Sequence, residues 1–483
     1  MSLLDRFREN DSVSRALTEA SRGAGASVSP LDGVALLLFC AALADDCGGD
    51  IATTLPDEDS VALFERDMSG LLEQSGLEGR WDIVAFPDYD VCEIDTAPDS
   101  LRRRRAARVR ALRAIYAPRL NGPRLWLVST EDALRRKTMP AARFAELTAV
   151  LREGDSWPME ELVGALVAAG YQRRRSVERE GEFCVRGGVI DIAPAQGDSP
   201  VRLEMSGNAI EEIRSLNMET LRSGERLREA TACPCHEMEP AGEDASFDSL
   251  RRDHRALAER RAFFDASILY PETFGCLRGP ARPDAFSILM RVDARRAADE
   301  TRRRREVASV WLQRNEFTDT EEMVAGFYEA DGGTQSLPSV SLEPAGAPPA
   351  GLRLPLSPLP PLPISLSDIA ARIREESGRA DVFVISKYRD RLERYLEDEG
   401  ITSVNVMSGD LRGGFSIAGE MSAFTDAEMF RRAPAAKKRA ARPSRPKDRA
   451  PILAPEDIKE GDYVVHVDHG IGLYAGICRR QLG

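Results

Sequence analysis

Three short patterns in this 483-residue chain place reactive residue types close together. The first is VRGGVIDIAP, Val185 to Pro194, where Arg186 stands before Gly187 and Gly188. Glycines free the backbone for a tight bend, and an arginine fork with five donors pairs with carboxylates. The arginine has two candidate partners: Glu180 or Glu182 nearby, in a pair worth little if exposed, or a carboxylate on another molecule. The second pattern is Cys233, Cys235 and His236 in CPCHE. A structural zinc needs four ligands, and no second pair follows at finger spacing, so no metal is expected there. The third is His466 and His469 in HVDH, beside a glycine turn, which reads as the end of a strand for want of a third ligand.

Nucleotide chemistry has even less to stand on. The pattern G-x-x-x-x-G-K-[ST], whose amides and lysine cradle phosphates, is absent from the chain. Where the first helix should start, the sequence is VSPLDGVALL. No acidic pair follows a strand to hold magnesium, so no catalytic residue, cofactor or metal ligand is assigned.

These patterns must be carried by several domains, since the length suits about three to four of them and 42% of the residues are hydrophobic. The longest apolar run, Gly33 to Leu43, is too short to cross a bilayer, and MSLLDRFREND lacks the basic start of a signal peptide. A cytoplasmic monomer with reduced thiols, away from membranes, is expected. The net charge is −13, but Arg431 to Arg449 carries +8 and the remainder −21. That tract has no apolar period and reads as a basic linker, residues 431–452, open to contact with phosphates of DNA. Arg102 to Arg105 and Arg302 to Arg305 read as solvated helix faces.

The elements read as follows. An apolar helix around Val34 to Leu43 precedes a short strand and a helix with Val61, Leu63, Phe64 and Met68 on its apolar side. WDIVAFPDY and PRLWLVSTEDAL supply two more strands, and the repeated strand-then-helix units imply a mostly parallel sheet. PMEELVGALVAAGY is an amphipathic helix closing at Gly170. Val189 to Ile192, Ser199 to Met205 and Ala209 to Leu216 then form an antiparallel meander, so residues 156–230 make a small α+β module. The proline-rich stretch 344–363 should be stiff and separate the first part from a small α/β domain over 364–430. There Val382 to Ile385 is a strand, Tyr388 to Glu399 a helix and Gly400 its stop.

The segment from Gly170 to Ser223, GYQRRRSVEREGEFCVRGGVIDIAPAQGDSPVRLEMSGNAIEEIRSLNMETLRS, resembles the module shared by UvrB and the bacterial transcription-repair coupling factors (the Mfd family), where it engages the damage-recognition ATPase UvrA. EGDYVVHVDHGIGLYAGI, Glu460 to Ile477, resembles the opening of the CarD-like RNA-polymerase-interacting domain, a Tudor-like β-barrel that UvrB lacks. FPDYDVCEIDTAPDSLRRRRAARVRAL and RGGFSIAGEMSAFTDAEMFRR are similar to two further parts of the coupling factors.

The resemblance implies a degenerate UvrB-like parallel α/β lobe over 1–155 and 231–343, without a phosphate loop, and the inserted UvrA-binding module between them. The barrel would begin at 453–483, truncated some thirty residues in. UvrA would be bound through Arg173, Arg174, Arg175, Phe183, Arg186, Gly187 and Gly188. The β subunit of RNA polymerase would be bound in part through Tyr463, Val465, His469, Gly470, Gly472 and Tyr474. ATP and magnesium would belong to the family's translocase motor, which this chain lacks. The expected role is recruitment of UvrA to stalled polymerase, against a UvrB-type helicase or a CarD-like regulator.

Overall fold

The computed structural model describes residues 2–93, 98–117, 122–237, 278–280, 285–315, 317, 319–329, 334–348, 351–362, 365–430, 463–466 and 470–473. The chain falls into a unit ending at Arg431 and a second one from Arg432 onward. The first part supplies β1 (Ala24–Ser29), β2 (Ile51–Thr54), β3 (Trp81–Phe86), β4 (Arg124–Ser129) and β5 (Ala149–Arg152). Next come β6 (Gln172–Arg173), β7 (Glu182–Arg186), β8 (Val189–Ala193), β9 (Val201–Ser206), β10 (Ala209–Leu216), β11 (Ser223–Leu227) and β12 (Glu229–Ala232). The unit closes with β13 (Ile288–Val292), β14 (Ser339–Leu342), β15 (Leu352–Arg353), β16 (Leu356–Pro358), β17 (Asp381–Ser386), β18 (Val404–Ser408), β19 (Phe415–Ile417) and β20 (Met421–Thr425).

A seven-stranded sheet runs in the order β15-β1-β14-β13-β2-β4-β3, and every neighbouring pair in it is parallel. The strand-then-helix repetition requires this, because a parallel neighbour needs a crossover. The helix Glu58–Gln74, capped by Asp57 accepting from the Ser60 amide at 2.7 Å, buries Val61, Phe64 and Met68 with Trp81 and Trp126. Leu63, expected on that side, is 37% exposed. On the opposite face, Val109 and Leu112 of the helix Pro98–Tyr116 pack with Val84, Phe86, Leu125 and Leu127. The helix Gly33–Asp46 is apolar nearly all round and is accordingly buried through Val34, Leu38, Phe39, Cys40 and Leu43.

Where β1 runs into that helix, a nucleotide-binding fold would place phosphate on the free amides of the helix N-terminus. Here the Val34 amide donates to the Gly413 carbonyl at 2.9 Å. Gly33 has φ +51, and a Cβ there would fall on the main chain of Arg412 and Gly413.

The proline-rich stretch does not separate two bodies. Its β15 joins the large sheet beside β1, and its β16 pairs with β19 in a five-stranded sheet ordered β16-β19-β20-β17-β18. Proline is tolerated on such edges because no central ladder bond is lost. The two sheets also share one core, in which Phe7 meets Phe415 edge-on at 5.6 Å and Leu38 and Leu43 lie with Phe383 and Ile385. The expected helix is present as Arg389–Asp398, and Gly400 follows with φ +73.

Between β4 and β13 the chain leaves the lobe and returns. β5 and β12 pair antiparallel, Arg152 opposite Glu229 and Ala149 opposite Ala232, and bring the two ends of the excursion together. The arginine runs also differ from expectation. Arg302 and Arg303 are solvated, but Arg304 reaches Asp88 at 3.3 Å and Arg305 pairs with Asp132. Asp88 is completely buried, and although burial opposes its charge, Arg136, Arg304 and Arg108 hold its carboxyl below the usual range.

In the second unit, β21 (Tyr463–His466) pairs antiparallel with β22 (Gly470–Leu473). A barrel was expected at 453–483; among the described residues there is a two-stranded sheet and no closed barrel. The basic linker 431–452 lies outside the described residues.

Candidate protein-interaction surface

The excursion is a six-stranded sheet, β11-β10-β9-β8-β7-β6, with the helix Met159–Ala168 laid against it. Strands β8, β9 and β10 form the antiparallel meander that the turn residues and alternation imply, and β7 and β11 extend it at its two ends. β6 adds in parallel, Arg173 opposite Phe183. One face of the sheet packs on Leu162, Leu166 and Tyr171, closing over Phe183, Ile190, Ile192, Val201, Leu203, Ile210 and Ile213. Gly170, with φ +88, ends the helix and lets the chain turn into β6.

The other face explains the aspartate that interrupts VIDIAP. Asp191 lies directly opposite Arg202 on β9, and its two oxygens accept from Nε at 2.6 Å and Nη2 at 2.9 Å. With 2% exposure the carboxylate is held by a bidentate fork, so its place in an apolar run has no cost in unpaired charge. Beside it, Val177, Cys184 and Ala193 form a small apolar cluster, so the loop from Arg174 to Gly181 covers part of this face.

Arg173, Arg174, Arg175, Arg186, Gly187 and Gly188 all lie on the surface. Phe183 does not. It is fully buried in the module core, because its strand position alternates inward between Glu182 and Cys184, and it cannot meet a partner there. Gly187, with φ +60, makes the two-residue turn between β7 and β8, where Arg186 pairs with Val189. Gly188 has its carbonyl bonded by the Met205 amide at 2.7 Å.

Neither glutamate holds Arg186. Glu182 accepts from the Glu178 and Arg179 amides at 3.0 and 3.2 Å and lies 3.3 Å from Arg174. Arg186 instead donates from Nη2 to the Arg175 carbonyl at 2.9 Å, which also accepts from the Cys184 thiol at 3.0 Å. The guanidinium is therefore positioned by a neutral acceptor, and among the described residues no carboxylate pairs with it. The Arg175 carbonyl ties the arginine cluster of the loop to the arginine of the hairpin turn, and a basic rim results.

Cys233 and Cys235 face different cores, the first packing within the lobe and the second within the module. Burial pushes the Cys233 thiol up to about 12, far from thiolate. His236 lies against Gly170, its pKa lowered to about 3 by burial and then by the charge of Arg105. Among the described residues no group of three His, Cys, Asp or Glu could hold a metal.

Of the residues expected to contact polymerase, Tyr463, Val465, Gly470 and Gly472 lie in the β21–β22 hairpin, Val465 opposite Ile471 and Val464 opposite Gly472. His469 and Tyr474 lie outside the described residues. The buried pairing of Asp191 with Arg202 was not foreseen, and the only sequence signal for it is two opposite charges that become neighbours once the hairpin register is known.

Comparison with known proteins bears on both regions. Residues 150–238 match the UvrB interaction domain, and residues 458–483 match the CarD-like/TRCF RID domain. The chain is 28% identical over 210 residues to a transcription-repair-coupling factor of Bacillus subtilis (strain 168), covering 43% of this chain and 17% of that one. It is 25% identical over 492 residues to that of Myxococcus xanthus, covering 88% and 40%. With Staphylococcus haemolyticus (strain JCSC1435) it shares 22% over 471 residues, covering 83% and 38%. The chain thus spans less than half the length of these relatives. From the module, the hairpin region and the matches that run through most of its own length, this chain is recognised as similar to the transcription-repair coupling factors.

Proposed function

We propose that the module at 150–238 recruits UvrA, and that the chain serves as a non-catalytic adaptor linking UvrA to RNA polymerase in transcription-coupled nucleotide excision repair. The observation carrying this reading is the basic rim of Arg173, Arg174, Arg175 and Arg186 on the domain that matches the UvrB interaction family. An arginine fork already held by a main-chain carbonyl loses little rotamer freedom when a carboxylate arrives, which favours an interface. The match at 458–483 supports polymerase as the second partner.

A helicase of the UvrB type is disfavoured by two observations. The chain has no phosphate loop, and the amide of Val34, where phosphate would rest, is taken by Gly413. The test is calorimetric titration of UvrA into the chain and into Arg186→Ala. A loss of about 1–3 kcal/mol in binding, with an unchanged melting temperature, supports the reading. Equal affinities, or no binding by the unaltered chain, overturn it.

A further inference from the structure

The five-stranded sheet ends at β18, and its free edge is unguarded. β18 pairs with β17 in parallel, Val382 with Val404 through Ser386 with Ser408. The Gly409 amide donates to the Ser386 carbonyl at 3.1 Å, which fixes the alternation. Asn405, Met407 and Gly409 turn their main-chain groups toward β17, so Val404, Val406 and Ser408 turn theirs outward. Among the described residues none bonds to those outward groups. Edges are normally guarded by charge, proline, a bulge or a cover. Here residues 401–409, ITSVNVMSG, hold neither charge nor proline, and the ladder has no bulge. Val404 and Val406 on one face and Met407 on the other stay half-buried beside the cores they adjoin.

The helix Arg389–Asp398 connects β17 to β18 and so runs antiparallel to both. Its residues fall in four rows of spacing four. Leu392 and Leu396 pack on the sheet. Tyr395 and Glu399 face the helix Leu366–Ser377, whose Arg374 donates to the Glu399 carbonyl at 2.7 Å. Asp390, Arg394 and Asp398 form the solvent row, all exposed. The remaining row, Arg389, Glu393 and Glu397, therefore borders the open edge, with Arg389 and Glu393 3.5 Å apart. The charges of this helix run against its dipole. Arg389 and Arg391 flank Asp390 in the first turn, while Glu397 and Asp398 occupy the last turn, which has no basic residue. At the carboxyl end of β18, Asp410 is held by Lys387 at 2.7 Å, and Asp67 pairs with Arg66 and feels the charge of Arg412.

We propose that β18 pairs with β18 of a second copy of this chain, antiparallel about a two-fold axis at Val406, so that two sheets become one. The outward residues are their own complement. Val404 would exchange two bonds with Ser408 of the second copy and Val406 with its own counterpart, leaving Asn405 opposite Met407. The two bordering helices would then lie two strand spacings apart, about 10 Å, the separation of packed helices. Running antiparallel, they bring Arg389 of each against Glu397 of the other, so charges set against the dipole gain partners. Glu393 stands nearest the axis, and Arg389 of its own helix offsets it. Asp410, with its Lys387, meets the uncharged Thr402 of the second copy. A foreign strand is a poorer occupant, because it brings no helix to match Arg389 and Glu397. This dimer departs from the monomer expected from the sequence, and it is independent of the UvrA reading, since it uses a different surface.

Sedimentation velocity of the full chain from about 1 to 100 µM should show a reversible doubling of mass. Arg389→Glu and Glu397→Arg, both at exposed positions, should each weaken the dimer by about tenfold or more. The double exchange should restore it. None of the three should lower the melting temperature, because each exchange suits the helix dipole. Hydrogen exchange at the Val404, Val406 and Ser408 amides should slow as the concentration of the unaltered chain rises. A monomer over the whole range, a dimer indifferent to the single exchanges, a double exchange that fails to restore it, or protection elsewhere overturns the proposal. So does protection of these amides by UvrA or core RNA polymerase in a chain that stays monomeric, which would assign the edge to a partner.

Discussion

Arg108 and Glu237, both completely buried, form a bidentate pair in which Nε donates to Oε1 at 2.5 Å and Nη2 to Oε2 at 2.8 Å. Arg108 sits within the helix Pro98–Tyr116 and Glu237 just beyond β12, so the pair joins the exit of the inserted module to the lobe. Both members of the pair have further partners. Nη1 reaches the Pro87 carbonyl at 2.6 Å, the Tyr89 hydroxyl donates to Oε1 at 2.8 Å, and the guanidinium stacks over Phe86 at 4.1 Å.

Removing one partner of such a pair leaves the other charged and dry. Arg108→Ala is expected to destabilise the first unit by about 3–5 kcal/mol, whereas the apolar double change Arg108→Met with Glu237→Leu should recover most of that loss. Denaturant unfolding of the two variants checks it. Equal losses in both would assign the cost to packing and not to the orphaned carboxylate.

At Gly33 two costs coincide. An L-residue at φ +51 is strained by about 1–2 kcal/mol, and the added Cβ would also push against Gly413. Gly25 has φ +72 with open space around it, so Gly25→Ala carries the strain alone. Thermal melts should show Gly33→Ala the more damaging of the two. The difference measures how firmly the loop at Gly413 is seated on the N-terminus of the helix Gly33–Asp46.

His236 makes stability pH-dependent with a definite sign. Its folded pKa, near 3, lies below the ordinary value of 6.5, so the unfolded chain binds more protons between those limits. Stability from this residue is complete above pH 6.5 and is lost progressively as the pH falls toward 3. The loss is on the order of a few kcal/mol. Unfolding free energies measured from pH 7.5 to 4.5 should slope less in His236→Gln than in the unaltered chain.

The local elements were legible because each was encoded by its own neighbours. The alternation in Val201, Arg202 and Leu203, the stop at Gly170 and the strand-then-helix units all reappear in the structure. What was not legible depends on residues far apart in sequence. Arg304 and Arg305 look like part of a charged surface until Asp88 and Asp132 arrive beneath them. The proline-rich stretch reads as a spacer by composition, and only the edges of two sheets turn it into strands. Phe183 carries the residue type of an interface, and strand alternation, applied strictly from Val185 backward, would have placed it inward.

The partition between core and rim in the module yields the last prediction. Phe183 is packed with Leu162, Tyr171 and Ile192, so Phe183→Ala leaves a cavity and should cost about 3–5 kcal/mol. Arg175 is exposed, and its contribution to the fold is the carbonyl that Cys184 and Arg186 share, which survives truncation of its side chain. Arg175→Ala should therefore change stability by less than about 0.5 kcal/mol. If the basic rim binds UvrA, the two variants separate cleanly. Arg175→Ala loses affinity while the chain stays folded. Phe183→Ala keeps near-normal affinity at temperatures well below its lowered melting point, and loses it in step with unfolding as the temperature rises. Paired titrations and melts at two temperatures decide the matter. Loss of affinity by folded Phe183→Ala would place the binding determinant in the module core.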